Sequence, residues 1–148
     1  MSEFSHLDAE GRVEMVDVGS KPVSRRRARA RALLTMRPET AERLRELPKG
    51  DALSTAQVAG IMAAKRTSEL IPLCHPLPLT AIDVHVAIVE NGADITSTVE
   101  TTAQTGVEME ALVAASVAAL TVYDMAKAVD ETMQVEELRL LEKTKEPV

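Results

Sequence analysis

Aromatic side chains are nearly missing from this chain: Phe4 and Tyr123 are the only two among 148 residues, and tryptophan is absent. A core must therefore be assembled from Val, Leu, Ile, Ala and seven Met. Alanine buries little area per residue, so additional burial between subunits is expected. Cysteine is scarcer still. Cys74 stands alone, which excludes an intrachain disulfide and a cysteine-based zinc site and makes a reducing compartment the expected setting. A basic surplus is also lacking. The formal net charge of −6 argues against general nucleic-acid binding, without excluding a local cationic pocket. The opening MSEFSHLDAEGRVEM has no basic stretch followed by an apolar run, so no secretion signal is expected. The longest apolar run, Ala111 to Tyr123, is shorter than the roughly 20 residues that span a bilayer. These absences together predict a soluble, cytoplasmic, single-domain protein with no membrane partner, residues 1–14 and 144–148 being flexible tails.

What is present divides by periodicity. In RRRARARALLTM, Arg25 to Met36, Arg27, Arg29 and Arg31 alternate with Ala28, Ala30 and Ala32, which predicts a strand with one cationic face and one small apolar face. A short strand or arm is expected at MVDV, Met15 to Val18. PETAERLREL, Pro38 to Leu47, predicts a short helix with proline in its first turn. Ser54 to Leu70 predicts a second helix, with Ser54 as its N-cap. Two alternating runs, Thr80–Glu90 and Asp94–Ala103, flank Asn91-Gly92, a strong hairpin signal. A long, nearly all-apolar helix from Gly106 to about Val129 and a last strand over Met133–Lys143 complete the order β, α, α, β, β, α, β. That order predicts an α+β fold of the ferredoxin-like kind, an antiparallel sheet with helices on one face.

Few residues can carry chemistry. His6, His75 and His85 have no metal-ligand spacing, and in an extended segment Cys74 and His75 point to opposite faces. A side-chain metal site and a Cys-His nucleophile pair are both disfavoured. ELIPLCHPLPLT, Glu69 to Thr80, leaves His75 either a hydrogen-bonded core residue or a ligand contact. Pro72, Pro76 and Pro78 stiffen its frame and keep the segment out of a central strand. Lys49, Lys65, Arg66 and the Arg25–Arg31 run are each ordinary surface cations singly, but together could clamp a polyphosphate. Asp124 and Lys127 sit at i and i+3 on the long helix, either as a plain ion pair or as an acid/base couple at the edge of a dry site. Glu108, Met109 and Glu110 open the same helix. At 1.5 Å per residue, about 21 Å separates Glu110 from Asp124, so a single site using both needs a long substrate or two subunits.

The blocks KGD at Lys49, GIMAAKRTSELIPLCHPLPLT from Gly60, TGVEMEALVAASVAALTVYDMAKAVD from Thr105 and RLLEK from Arg139 resemble the molybdenum-cofactor biosynthesis protein C family, the cyclic pyranopterin monophosphate synthases. The similarity runs from Met15 to Lys143. It implies a ferredoxin-like α+β enzyme that converts 3′,8-cyclo-7,8-dihydro-GTP to cyclic pyranopterin monophosphate with release of pyrophosphate. It also implies a homohexamer, a trimer of dimers, with the site at the dimer interface. Carried over position by position, Asp124, Lys127 and Lys49 match catalytic residues. Leu73, Cys74 and His75 match a substrate-binding LCH, and Met109 and Glu110 a second binding pair. Glu108, Lys65 and Arg26 match further pocket positions. No redox cofactor is implied, and magnesium could enter only with the substrate triphosphate. The chain departs from the family in lacking a glycine- and serine-rich tail after LLEK, and in the Glu136-Glu137 pair. Rival readings are another nucleotide- or pterin-cyclising enzyme on the same fold, and a nucleic-acid module built on the arginine strand.

Overall fold

Alternation in the first strand, β1 (Ser24–Thr35), decides which way the sheet faces. Ala28, Ala30, Ala32 and Leu34 are buried to zero exposure, while Arg27, Arg29 and Arg31 lie on the opposite face. In the computed structural model, which describes residues 4–148, β1 is followed by α1 (Pro38–Glu42), α2 (Ala52–Lys65) and α3 (Thr67–Leu70). The chain continues through β2 (Leu79–Val89), β3 (Gly92–Ala103), α4 (Glu108–Ala126) and β4 (Gln134–Pro147). The strands form one antiparallel sheet in the order β2-β3-β1-β4, with α2 and α4 packed on one face. This is the expected ferredoxin-like α+β arrangement.

Small side chains replace the missing aromatics by letting layers approach closely. Ala111, Ala114, Ala115, Ala118 and Ala119 of α4 are fully buried against the alanines of β1 and the Val and Ile of β2 and β3. At Gly60 of α2, a Cβ would lie 3.0 Å from the Ala114 carbonyl oxygen and 3.0 Å from Val84, so glycine lets the two helices cross this closely without displacing either neighbour. By length and mean hydropathy (1.4), α4 could cross a membrane, contrary to the shorter run read in the sequence. More than half of it is instead buried against the sheet and α2.

Several predicted boundaries move, each for a local reason. The cap of α2 is Asp51, not Ser54: its carboxylate accepts from the amides of Leu53 at 2.9 Å and Ser54 at 3.4 Å, and from the Ser54 hydroxyl at 3.0 Å. At the break after Lys65 the buried Thr67 hydroxyl donates to the Ala63 and Ala64 carbonyls, at 3.2 and 3.0 Å. Only Pro38–Glu42 of the first predicted helix is helical, and turns follow. MVDV joins no sheet. It runs as an arm beyond a small loop closed by the Leu7–Val13 bridge. Of the expected tails, residues 1–3 lie outside the described residues. Residues 144–147 extend β4 and pair with β1 as far as Ser24–Pro147.

The arginine strand is not a free cationic surface. Arg31 makes a two-pronged contact with Asp94 (2.9 and 2.8 Å) and reaches Glu137 at 2.6 Å. Arg27 binds Glu142 at 2.6 Å and faces Glu100 at 3.7 Å. Acids on both neighbouring strands thus occupy the donors a phosphate backbone would need.

Candidate active site

All the predicted site residues but Lys65 gather at the two ends of α4. At its C-terminal end the turn Leu47–Gly50 reverses the chain, with Gly50 at φ +117, a conformation that favours glycine. This turn carries Lys49 to Asp124: Lys49 Nζ lies 3.1 Å from Asp124 Oδ2 and 3.3 Å from the Asp124 carbonyl oxygen. Lys127, one turn along, places its Nζ 2.8 Å from Asp124 Oδ1. One carboxylate thus accepts from two ammonium groups. The bond from Lys127, then that from Lys49, holds Asp124 below the usual carboxylate range, and Asp124 in return raises Lys127. The cluster is open, with the Asp124 and Lys127 side chains 54% and 56% exposed. The dry site expected around this pair is not formed by one chain alone.

The N-terminal end of α4 is different in kind. Pro72 forces Ile71 into an extended conformation, and the chain then turns so that the Cys74 amide donates to the Ile71 carbonyl at 3.1 Å. That turn overrides the strand-like alternation assumed for the segment, so Leu73, Cys74 and His75 all line one cavity of about 230 Å³. Glu108, Met109 and Glu110, from the first turn of α4, form its opposite wall. Burial pushes the carboxyl of Glu110, only 4% exposed, above its ordinary range, and Glu108 adds to the effect. Burial first, then Glu110 and Glu108, also raises the Cys74 thiol, so Cys74 is a neutral lining group.

Beside this cavity is a cationic cleft of about 240 Å³ lined by Arg26, Lys143, Lys145 and the backbone leading into α4. Arg26 follows the parity of the alanines and turns toward the helices, away from Arg27 and Arg29. Its Nη2 reaches the Gln104 carbonyl at 3.5 Å, and its Nε is buried without a partner among the described residues. Lys143 Nζ lies 3.9 Å from Glu108 Oε1. Neither Lys143 nor Lys145 was singled out by the sequence reading. Their alternation in EKTKEP carries the signal, since the β1–β4 register sets them opposite Ala28 and Arg26. Lys65, exposed at the end of α2, does not enter the cavity lining.

An α+β sandwich holding an acid-lined, cation-flanked cavity at one helix end and a Lys-Asp-Lys cluster at the other has the equipment of an enzyme suited to an anionic small molecule and to proton transfer. The particular family follows from comparison: the MoaC family pattern matches residues 15–146, and the chain belongs to the MoaC family. It is 56% identical over 148 residues to the cyclic pyranopterin monophosphate synthase of Roseiflexus castenholzii, covering 97% of this chain and 94% of the relative. The enzyme of the same name from Herpetosiphon aurantiacus is 58% identical over 145 residues, covering 95% and 88%. A molybdenum cofactor biosynthesis bifunctional protein from Chlorobaculum tepidum is 56% identical over 144 residues, covering 96% of this chain and 46% of the relative.

Proposed function

We propose that the chain is a cyclic pyranopterin monophosphate synthase, converting 3′,8-cyclo-7,8-dihydro-GTP to cyclic pyranopterin monophosphate and pyrophosphate in the cytoplasm. The observation that carries the reading is the match of two chemically distinct half-sites to the two needs of this reaction. Rebuilding a purine as a pterin requires several proton transfers, and closing a cyclic phosphate with loss of pyrophosphate requires cations. Asp124, Lys127 and Lys49 form a base flanked by two acids, each able to exchange a proton once substrate displaces an ion-pair partner. The cavity of Leu73, Cys74, His75, Met109 and Glu110 suits the fused ring. Arg26, Lys143 and Lys145 suit the triphosphate. No redox change occurs, so the scheme calls on no resident cofactor, and magnesium would arrive only with the triphosphate.

About 21 Å of helix separates the half-sites within one chain, too far for one nucleotide's reacting centre to use both. A two-fold axis across the middle of α4 would bring the N-terminal end of one copy beside the C-terminal end of the other. Apolar residues exposed on the helical layer support this. Val58, Met62, Leu120 and Tyr123 are 57%, 46%, 58% and 37% exposed in the single chain. We therefore propose a dimeric active unit within a homohexamer. Incubation with the cyclised nucleotide, following pyrophosphate and the pterin product, tests the activity. Absence of both products at high enzyme concentration would overturn it.

A further inference from the structure

His75 is tied to a segment far from it in sequence: its Nε2 lies 2.8 Å from the Val16 carbonyl oxygen. A carbonyl only accepts, so this nitrogen carries the proton. Nδ1 has no hydrogen-bond partner among the described residues, and the ring lines the same cavity as Glu108 and Glu110. The arm that supplies the carbonyl is itself pinned. Gln104, at the end of β3, donates its side-chain amide to the carbonyls of Gly19 at 3.3 Å and Lys21 at 3.2 Å. Gln104 is followed directly by Thr105-Gly106 and the start of α4, so one connection fixes both the arm and the helix end that face His75. Val16 and Val18 line the cavity too, which makes the arm part of its wall.

We propose that the Val16 carbonyl is a positioning group that fixes the tautomer of His75, holding the proton of the neutral ring on Nε2. Nδ1 is then presented to the cavity as a hydrogen-bond acceptor for an N–H of the bound heterocycle, and His75 acts as an orienting acceptor, not as an acid. The inference deepens the proposed substrate site and rests on that reading only for the identity of the heterocycle. A histidine whose tautomer is fixed by a backbone carbonyl discriminates between donor and acceptor edges of a ligand, because the wrong edge leaves two lone pairs opposed.

Nitrogen-15 NMR of the full chain labelled at histidine reads the tautomer directly and without substrate. The expected spectrum has a pyrrole-like Nε2 and a pyridine-like Nδ1 for His75. A pyrrole-like Nδ1, a tautomeric mixture or an imidazolium at neutral pH overturns the proposal. Gln104→Ala, which frees the arm, should bring the His75 signals into tautomer exchange, and unchanged signals would show that the arm does not hold the ring. In turnover, His75→Asn keeps an acceptor near the Nδ1 position and His75→Gln keeps a donor near Nε2. The Asn variant should retain about tenfold more kcat/KM, the discrimination one well-placed hydrogen bond gives. Equal losses in the two variants overturn the acceptor role while leaving the proposed reaction intact. An inactive native chain would overturn the reaction and leave the tautomer result standing.

Discussion

The two ends of α4 carry carboxylates in opposite circumstances. At the N-terminal end Glu110 is buried without an ion-pair partner among the described residues, and burial raises its pKa. At the C-terminal end Asp124 is exposed between two lysines and its pKa is lowered. The first end is enclosed by the proline-framed turn and the arm, a preformed wall for the proposed ligand. The second is an open charge cluster that the single chain leaves in solvent. A single chain therefore encloses the proposed binding wall and leaves the proposed acid/base cluster solvated. This asymmetry is what a site shared between copies predicts, with each chain closing the other's unfinished end.

The strongest break in this comparison is at the open end. Asp124→Asn keeps the shape but removes the base, and should lower turnover with the cyclised nucleotide by about a thousandfold. Its melting temperature should stay near that of the parent, because the exposed cluster contributes little to the fold. Unchanged turnover would remove Asp124 from the chemistry. Mixing Asp124→Asn with His75→Gln after subunit exchange sharpens the point. If each site takes one end from each copy, the heterodimers carry one intact site in two, and activity should return to about a quarter of the parent's. No recovery above the sum of the separate variants would place both ends in one chain.

Much of the scaffold was legible because it depends on local rules. The parity of Arg27, Arg29 and Arg31 against Ala28, Ala30 and Ala32 gave the faces of β1, and Asn91-Gly92 gave the hairpin. The Asp124–Lys127 pairing followed from helical spacing alone. What was not legible depends on contacts between distant residues. Lys49 meets Asp124 across 75 positions, and Val16 meets His75 across 59. Neither neighbour's identity is set by nearby sequence. Register irregularities also mattered. Breaks in the β1–β4 pairing at Arg29/Ala30 and Leu33/Leu34 shift which β4 residues face the helices, so a strict alternation count through MQVEELRLLEK fails. Pairing with β1 likewise extends the last strand through residues that a compositional reading treats as a tail.

Asp130, just beyond the open end, makes the next largest test, now of stability. It is 1% exposed, and its carboxylate accepts from the Thr132 amide at 2.7 Å, the Thr132 hydroxyl at 2.6 Å and the Arg37 amide at 3.0 Å. Burial alone would raise its pKa, but these bonds outweigh it and hold the carboxyl well below the ordinary range. The group ties the end of β1 to the connection between α4 and β4. Asp130→Ala strands these donors and should cost about 3 kcal/mol, close to a 10 °C fall in melting temperature. Because the folded pKa is depressed, this stabilisation is present above the unfolded value near 3.8 and fades as pH falls further toward the folded one. The gap between parent and variant should therefore narrow in strong acid. A gap independent of pH would mean that the carboxylate charge is not what stabilises.

Glu110 should behave in the reverse sense and more weakly. Its folded pKa lies above its unfolded value near 4.5, so the folded chain holds the proton more tightly. Relative stability from this group is full below that unfolded value and declines as pH rises through the folded one. Glu110→Gln removes the charge that burial opposes. It should therefore raise the melting temperature slightly at pH 7 and leave it unchanged near pH 4, where the parent carboxyl is already largely protonated. The same substitution should raise KM for the cyclised nucleotide with little change in kcat, since it alters the binding wall and leaves the Lys-Asp-Lys cluster untouched. A parallel fall in kcat would instead make Glu110 a proton-transfer group, and the two ends of α4 would no longer divide binding from chemistry.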